Sequence, residues 1–416
     1  MIVTKQPRVN IGLVGHVDHG KTTLTQTLSG VWADTHSEEV KRGITIRLGY
    51  ADAAFFKCPT CESPTCYTTK KECAVCGEKT ELIQTVSFVD APGHETLMAT
   101  MISGAAIMDM ALLLIAANEP CPQPQTREHL MALEISGIKN IVVVQNKIDL
   151  VSYEKAMEHH EQIKEFLKGS IAEGAPIIPV SAHHDVNIDT LIGAIIDTLP
   201  EEVERSEDKP ARMYISRSFD INKPGIHPQD LIGGVIGGSL LMGTVSDGDK
   251  LEIKPDYRPV DQQEGPALMM ATTLMAGGKK RKKIVPGGLI AIGTKTDPFF
   301  MKSDGVTGKV IGAPGTLPPV VDRMILDVFL LKRVVGSDKD LEVEEIRTRE
   351  MLMLNAGTAT TVGVVSSARS KDIDVKLRIP VCVEKDQRVA ISRKLGGRWR
   401  LIGYGIIKEI DEVSAS

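Results

Sequence analysis

The amino-acid sequence predicts a multidomain protein that joins one α/β domain to all-β domains, and three observations support this fold class. Short apolar runs alternate with amphipathic stretches in the first half of the chain, as in a doubly wound parallel sheet. Glycine-punctuated runs of alternating polarity fill the second half, as in small β-barrels. A chain of 416 residues, at about 150 residues per domain, accommodates roughly three such domains.

The first half predicts strands that are buried on both faces of a sheet, because its apolar runs are short and carry few charges. The predicted strands are Asn10–His16, Val86–Asp90, Ala111–Ala117, Asn140–Gln145 and Pro176–Val180. Apolar residues at helical spacing predict helices at Lys21–Ser29, Thr126–Ser136 and Glu154–Gly169.

The second half predicts two barrels built from short strands. The predicted strands are Val235–Leu241, Lys250–Ile253 and Leu289–Gly293 in the first barrel, and Met324–Leu331, Thr360–Ser366, Asp374–Leu377 and Arg388–Ser392 in the second. A charged, proline-bounded segment precedes them and is predicted to be a linker. The predicted domains are residues 1–200 with an insert at 56–80, a linker at 201–210, and barrels at 211–322 and 323–416.

Composition and charge indicate whether the chain is globular, whether it spans a membrane and which half can bind a polyanion. The chain is 42% hydrophobic and 25% charged, which is typical of a globular protein. No apolar run reaches the ~18 residues of a membrane span, and no signal-peptide pattern begins the chain, so we expect a cytoplasmic protein without membrane contact. Residues 1–210 carry 18 basic and 29 acidic residues (net −11), whereas residues 211–416 carry 31 and 25 (net +6). A polyanionic partner is therefore expected to bind the second half.

The segment Gly15–Thr22 (Gly-His-Val-Asp-His-Gly-Lys-Thr) matches the phosphate-binding pattern G-x-x-x-x-G-K-T. It follows a predicted strand and begins a predicted helix, so its backbone N–H groups can surround a β-phosphate. Lys21 is expected to neutralise phosphate charge, and the Thr22 hydroxyl to ligate Mg²⁺. The predicted nucleotide-binding residues here are Asp18, His19, Gly20, Lys21, Thr22 and Thr23.

A second motif, Asp90-Ala-Pro-Gly-His94, ends the next strong strand. Asp90 is placed to hold Mg²⁺ through water. Gly93 is expected to let a backbone N–H approach the γ-phosphate closely. His94 is placed to orient an attacking water, although a surface histidine is the alternative interpretation.

A third motif, Asn146-Lys147-Ile-Asp149, ends another strand at the same sheet edge and predicts a guanine pocket. The Asp149 carboxylate can accept hydrogen bonds from guanine N1–H and N2–H₂, which adenine does not offer; such a pocket can discriminate by ~10⁴ or more. The Lys147 stem can cover the base, while Asn146 braces the pocket. The last strand ends in Ser181, Ala182 and His183, which are expected to offer a backbone N–H to guanine O6.

Two C-x₂-C pairs, Cys58/Cys61 and Cys73/Cys76, lie within the insert. Four thiolates at this spacing predict a tetrahedral Zn²⁺ site, and a closed coordination sphere predicts a structural role. Disulfides are the weaker alternative in a cytoplasmic chain. Cys66 is either a spare thiol or a substitute ligand. The remaining cysteines, Cys121 and Cys382, are expected to be packing residues.

Together the three motifs resemble those of the translational GTPases, the elongation factor Tu-like group, and imply a P-loop GTPase domain. Further segments look like the γ subunits of archaeal and eukaryotic translation initiation factor two. These segments are His36–Thr45, the cysteine insert, Asn118–His129, Gly233–Ser239 and Gly397–Gly403. Lys41 departs from elongation factor Tu, which has an acidic residue before Arg-Gly-Ile-Thr.

Residues 42–46, Arg-Gly-Ile-Thr-Ile, resemble the first switch of that group, here called the switch segment. The resemblance implies that Thr45 ligates Mg²⁺ in the GTP state, and that Val17 and Ile44 form an apolar gate beside His94. It also implies a second Mg²⁺ near Asp18 and the Gly43 carbonyl. The expected catalytic residues are His94, Lys21 and Thr45. The implied cargo is methionyl initiator tRNA, carried to the small ribosomal subunit in the GTP state. The implied partners are α and β subunits, in a heterotrimer, and a separate protein that stimulates GTP hydrolysis.

Other interpretations stay open at this point. Another tRNA-delivery GTPase, such as a selenocysteine-specific elongation factor, has the same motifs. A GTPase subunit of sulfate adenylylation, a nucleotide-locked scaffold and a nucleotide kinase with a zinc-bearing lid fit less of the sequence. The basic run Lys279–Lys283 predicts a loop that either contacts tRNA or is simply solvated. A second basic group surrounds Trp399, which is expected either in a core or as a stacking surface.

Overall fold

The structure is a computed structural model that describes residues 5–32, 47–94, 97–200, 205–223, 225–255, 266–331, 342–369 and 371–412. The described chain divides into two compact units, one that reaches residue 200 and one that begins at residue 205. This division does not fix the domain limits given above, which stay predictions. No helix of the described residues is long and apolar enough to span a membrane.

The first unit is an α/β domain. Its elements are β1 (Val9–Gly15), α1 (Lys21–Ser29), β2 (Gly49–Lys57), β3 (Tyr67–Thr68), β4 (Glu81–Asp90), α2 (Met98–Ala105), β5 (Met110–Ala116), α3 (Pro124–Ser136), β6 (Ile141–Asn146), α4 (Tyr153–Leu167), β7 (Ile177–Pro179) and α5 (Ile188–Thr198). In the described residues its sheet has the strand order β3-β2-β4-β1-β5-β6-β7. Strands β4, β1, β5, β6 and β7 are parallel to one another. Strand β2 is antiparallel to β4, and β3 is antiparallel to β2.

The sheet places its functional loops at one edge. The chain passes from β1 to β4 on one side of β1, then crosses to β5 on the other side. Ligands of doubly wound folds bind at the carboxyl ends of strands beside such a reversal. Helices α1 and α5 share one apolar core with one sheet face, through Leu24, Leu28 and Leu191 among others. The predicted doubly wound α/β domain is confirmed.

The second unit consists of β-strands. Its first barrel contains β8 (Arg212–Phe219), β9 (Val235–Met242), β10 (Val245–Ser246), β11 (Lys250–Lys254), β12 (Leu268–Ala276), β13 (Lys279–Arg281), β14 (Lys283–Ile284), β15 (Ile290–Thr294) and β16 (Val310–Gly312). The second contains β17 (Val320–Leu330), β18 (Met351–Ala356), β19 (Ala359–Arg369), β20 (Asp372–Cys382), β21 (Arg388–Leu395) and β22 (Arg398–Glu412).

Both barrels close within the described residues. In the first, the order β11-β16-β8-β9-β15-β12 is closed by pairing of β11 with β12. The second closes as β17-β20-β19-β18-β21-β22. Each encloses its own apolar core. The predicted pair of β-barrels is therefore confirmed.

Some local predictions were wrong. The basic run Lys279–Lys283 is not a loop, because most of it forms β13 and the start of β14. Trp399 is half-buried in β22, and this burial does not decide between the two interpretations given above. No element was predicted at α2, α5, β2 or β3 in the first unit, nor at β8, β10, β12, β16, β18 or β22 in the barrels.

Candidate nucleotide site and metal centre

The ends of β1 and β4 bring the first two motifs together. Leu13 pairs with Asp90 across the two parallel strands, and the Ala91 N–H donates to the Leu13 carbonyl. The Thr22 hydroxyl donates to Asp90 Oδ2 over 2.7 Å, and Asp90 is fully buried. A hydroxyl and a carboxylate are the oxygen ligands that Mg²⁺ prefers. The two predicted Mg²⁺ residues thus fit that ion.

The phosphate-binding loop has the backbone conformation of an anion cradle. Asp18 has φ of 59° and Gly20 of 90°, both in the left-handed region. Gly20 precedes α1, whose N-terminus has no side-chain cap among the described residues. Uncapped N–H groups at a helix N-terminus bind anions. His19, in the same loop, is fully buried, and its Nδ1 lies 2.9 Å from the Leu114 carbonyl oxygen.

Lys21 lies at the meeting point of the two motifs. Its Nζ donates to the carbonyl oxygens of Gly15 over 3.0 Å and of His16 over 2.7 Å. A Cβ at Gly93 would lie only 2.6 Å from Lys21 Nζ and 2.9 Å from the Val17 nitrogen. A side chain at Gly93 would therefore collide with the phosphate-binding loop, while the approach of its N–H to a γ-phosphate stays a prediction. His94, the next residue, is half-buried.

A histidine that the motifs do not include supports this loop. His129, on α3, is buried, and its Nδ1 accepts a hydrogen bond from the Gly15 N–H over 2.7 Å. Burial holds the pKa of His129 well below its usual value, so the ring is neutral and keeps this lone pair. Gly15 is therefore held on its N–H side by His129 and on its carbonyl side by Lys21.

Replacing His129 with leucine is expected to cost about 1–3 kcal/mol of unfolding free energy, because a buried N–H loses its acceptor. It should also speed nucleotide release, because His129 fixes the Gly15 N–H at the start of the phosphate-binding loop. Urea unfolding and the dissociation rate of a fluorescent GDP analogue measure both effects. His129→Gln, which retains an acceptor, should recover part of each, and His160→Leu on α4 is the control. Wild-type release from His129→Leu would contradict the anchoring role.

The third motif is joined to the first by one side chain. Asn146 donates from Nδ2 to the His19 carbonyl over 2.9 Å, and its Oδ1 accepts from the Ala182 N–H over 3.1 Å. The Thr27 hydroxyl on α1 donates to the Ala182 carbonyl over 2.8 Å. Asn146 thus braces the loops, as expected, and three loops distant in sequence form one rigid edge.

Asp149 lies in the loop after β6 and is partly exposed to solvent. Its side chain is 26% exposed, and its Oδ2 lies 3.8 Å from His184 Nε2. The neighbouring Ser181 hydroxyl lowers the pKa of Asp149, so the carboxylate is ionised at neutral pH. Lys147 has a left-handed φ of 62°, which turns the chain between the strand and Asp149. An accessible, ionised acceptor beside a preformed loop is what guanine recognition needs.

Two predicted metal-binding residues lie outside the described residues. These are Thr45 and Gly43, so the switch threonine, the second Mg²⁺ and the gate that includes Ile44 stay predictions. Thr23 lies in the first turn of α1, and Ser181 and His183 lie in the loop after β7, at the same edge of the sheet.

The cysteine insert brings its four predicted ligands together. The sulfur atoms of Cys58, Cys61, Cys73 and Cys76 all lie within 4.8 Å of one another. The Cys58–Cys76, Cys61–Cys76 and Cys61–Cys73 sulfur distances are 3.4, 3.5 and 3.7 Å. Thiolates at ~2.3 Å from a tetrahedral Zn²⁺ lie about 3.8 Å apart, so this group has the size that Zn²⁺ requires.

The other cysteines do not join this group. Cys66 is buried beside it, while its N–H donates to the Glu62 carbonyl. Cys382 is buried, and its thiol donates to the Pro318 carbonyl over 3.2 Å. The insert rests on α5, where a Cβ at Gly193 would lie 3.0 Å from the Tyr67 ring.

Replacing Cys76 with serine is expected to abolish tight binding of one Zn²⁺ per chain and to make the insert sensitive to protease. The rest of the unit has its own core, so nucleotide affinity should change less than threefold. Metal analysis after dialysis and limited proteolysis measure the effect, with Cys121→Ser as the control. Full zinc content in Cys76→Ser would contradict the four-thiolate site.

Comparisons with known proteins agree with this geometry. The family model described as the Elongation factor Tu GTP binding domain matches residues 6–201, and the one described as Initiation factor eIF2 gamma, C terminal, matches residues 322–407. The chain is similar to the selenocysteine-specific elongation factor EF-Sec of bacteria (TM-score 0.73, 24% identity, 96% of this chain and 58% of that chain). It is also similar to the elongation factor SelB of Methanococcus maripaludis (TM-score 0.73, 22%, 99% and 81%). At such identities these two structures show the fold alone.

Fold and site together define a GTPase of the translational class. The chain is 60% identical to translation initiation factor 2 subunit gamma of Methanothermobacter thermautotrophicus, over 97% of this chain and 99% of that one. It is 57% identical to the same subunit of Methanocaldococcus jannaschii, over 97% and 98%. The chain belongs to the family of translation initiation factor 2 γ subunits, and it is a GTP-binding subunit of an initiation factor.

Proposed function

We propose that the edge formed by the three motifs binds GTP with Mg²⁺. The observation that carries this proposal is the hydrogen bond between Thr22 and Asp90, with Lys21 and Gly93 in contact beside it. Thr22 would hold the ion, and Asp90 would support it as predicted above. Mg²⁺, when bound, supplies positive charge to the β- and γ-phosphates. The loop N–H groups from Asp18 to Thr23 surround the phosphates.

Hydrolysis follows from positioning and charge, because phosphoryl transfer needs little covalent chemistry from the protein. Lys21 exchanges its carbonyl contacts for the phosphate oxygens and neutralises charge there. His94 orients the attacking water from its place after Gly93. Thr45 completes the site in the GTP state. Loss of the γ-phosphate then releases the switch segment.

The base pocket selects guanine. Asp149 accepts from guanine N1–H and N2–H₂, and the Lys147 stem covers the ring. The segment Ser181–His183 offers a backbone N–H to guanine O6, and this N–H is not that of Ala182, which donates to Asn146 Oδ1. Asn146, which fixes Ala182 and His19 at once, makes the pocket rigid before the base arrives.

The cargo is methionyl initiator tRNA, which the GTP form carries to the small ribosomal subunit. Membership of the γ-subunit family supports this role, as does the net charge of +6 over residues 211–416. Partner α and β subunits complete a heterotrimer, and a separate protein stimulates hydrolysis. Zn²⁺ at the four cysteines stabilises the insert.

Cargo identity tests this proposal. Spontaneous deacylation is followed for initiator methionyl-tRNA, elongator methionyl-tRNA and selenocysteinyl-tRNA, with a non-hydrolysable GTP analogue and the partner subunits present. We expect protection of initiator methionyl-tRNA alone. Protection of selenocysteinyl-tRNA would instead support the alternative elongation factor, and protection of none would refute tRNA delivery.

A further inference from the structure

A buried amide side chain joins helix α4 to the end of β6. Val142 and Val144 of β6 face the core shared with α1 and α5, so Gln145 projects from the opposite face of the sheet, towards α4. Its Nε2 donates to the Ala156 carbonyl over 2.8 Å and to His159 Nδ1 over 3.2 Å, and only 1% of Gln145 is exposed. The end of β6 is therefore fixed to the first two turns of α4.

The amide of Gln145 has a defined orientation. An amide nitrogen only donates and an amide oxygen only accepts, so His159 accepts at Nδ1. His160 adds a longer contact, in which its Nδ1 donates to Gln145 Oε1 over 3.4 Å. Burial lowers the pKa of both histidines, so both rings are neutral at pH 7 and can fill these opposite roles. Because α4 occupies both ends of the amide, Gln145 can act on a nucleotide only through the loops that it holds.

The main chain of Gln145 is bonded to the other half of the proposed base pocket. Its carbonyl accepts from the Val180 N–H over 2.8 Å, immediately before Ser181. The Ile148 N–H, in the loop after β6, donates to the Val180 carbonyl over 3.3 Å. Gln145 thus connects three segments that converge on the proposed base pocket, which are the end of β6, the loop after β7 and the start of α4.

The loop that carries Asp149 is short and is fixed at both ends. It covers residues 147–152, and the Ser152 side chain caps the N-terminus of α4. Because Ala156 lies in the first turn of this helix, the hydrogen bond from the Gln145 amide closes the loop where its two ends meet. The position of Asp149 relative to the strand end is therefore set by the contact between β6 and α4.

We infer that Gln145 is a positioning residue for guanine recognition, and that it holds Asp149 where both carboxylate oxygens meet the base. This inference deepens the proposed function and rests on it. A two-bond contact needs the donors and acceptors to stay in one plane, so a shifted carboxylate retains only one good bond. With one bond left, guanine has no advantage over hypoxanthine, which has the N1–H but lacks the N2 amino group.

The dissociation constants of GDP and inosine diphosphate test the inference. They are measured on the full chain with Mg²⁺, by competition with a fluorescent GDP analogue. Gln145→Met removes the amide and keeps the length of the side chain, and the Ala156 carbonyl can still accept from the helical N–H four residues later. His159→Leu removes one of the two acceptors. The control is Gln162→Met, the same change further along α4, where the Gln162 side chain accepts from the Cys121 N–H.

We expect Gln145→Met to lower the preference for GDP over inosine diphosphate about tenfold, and His159→Leu to lower it by a smaller factor. Gln162→Met should leave the preference unchanged. Equal weakening of both nucleotides by Gln145→Met, or the same loss of preference in Gln162→Met, would overturn the inference. An unchanged preference in Gln145→Met, or in His159→Leu where Gln145→Met does not fold, would also overturn it. A wild-type protein that does not prefer GDP would refute the guanine pocket itself, so failure of the proposed function is seen separately.

Discussion

Replacing Asp149 with asparagine is expected to transfer nucleotide preference from guanine to xanthine. In the proposed pocket the ionised carboxylate accepts from two guanine donors, and an amide would place its own N–H against one of them. Guanine affinity should fall by ~10⁴ or more, since a buried polar pairing is left unmade. Xanthine offers an oxygen where guanine has the amino group, so the amide N–H regains a partner. Competition binding of GDP and xanthosine diphosphate measures the change.

The matched control is Asp197→Asn, which makes the same charge change at an exposed position of α5. It should leave the guanine preference intact. Retained guanine selectivity in Asp149→Asn would remove Asp149 from the base pocket. Loss of both nucleotides would indicate instead that the loop of Asn146 had lost its structure, and thermal unfolding distinguishes the two cases.

Replacing His94 with alanine is expected to leave GTP affinity unchanged within about threefold while slowing single-turnover hydrolysis by roughly 10² to 10⁴. His94 follows Gly93, whose backbone lies against Lys21, the residue proposed to bind the γ-phosphate. In the proposed mechanism His94 orients water and does not hold phosphate, so only the chemical step should be slowed. Rapid-quench measurements with and without the stimulating partner report this step.

His227→Ala, in the first barrel, is the control for removal of a histidine. An unchanged hydrolysis rate in His94→Ala would remove His94 from the mechanism. A loss of GTP affinity equal to the loss of rate would make His94 a binding residue instead.

The strand ends that carry the motifs could be predicted, because each motif follows an apolar run and parallel strands end at one edge. The contacts that lock this edge could not. His129 lies 114 residues from Gly15, and Asn146 lies 127 residues from His19. The one available signal for His129 was a polar residue on the apolar side of a helix, next to Thr126 and Leu133 in helical spacing.

The missed and mistaken elements have physical causes. Helix α2 is short and consists of small and apolar residues, and it continues into the apolar residues that precede β5. Its helical periodicity is therefore hard to distinguish from one continuous apolar run. The basic run Lys279–Lys283 has a composition typical of loops, yet β13 pairs with β12 and β14 with β10, so the run is β-structure. Local charge therefore predicted its exposure correctly, while tertiary pairing determined its conformation.

The most direct test of the whole account is the dependence of initiator tRNA binding on the nucleotide. With both partner subunits present, deacylation of initiator methionyl-tRNA is compared between the non-hydrolysable GTP analogue and GDP. We expect strong protection with the GTP analogue and at least tenfold weaker protection with GDP, because γ-phosphate contacts are proposed to order the switch. Equal protection in both states, with both nucleotides shown to be bound, would contradict a GTP-controlled carrier.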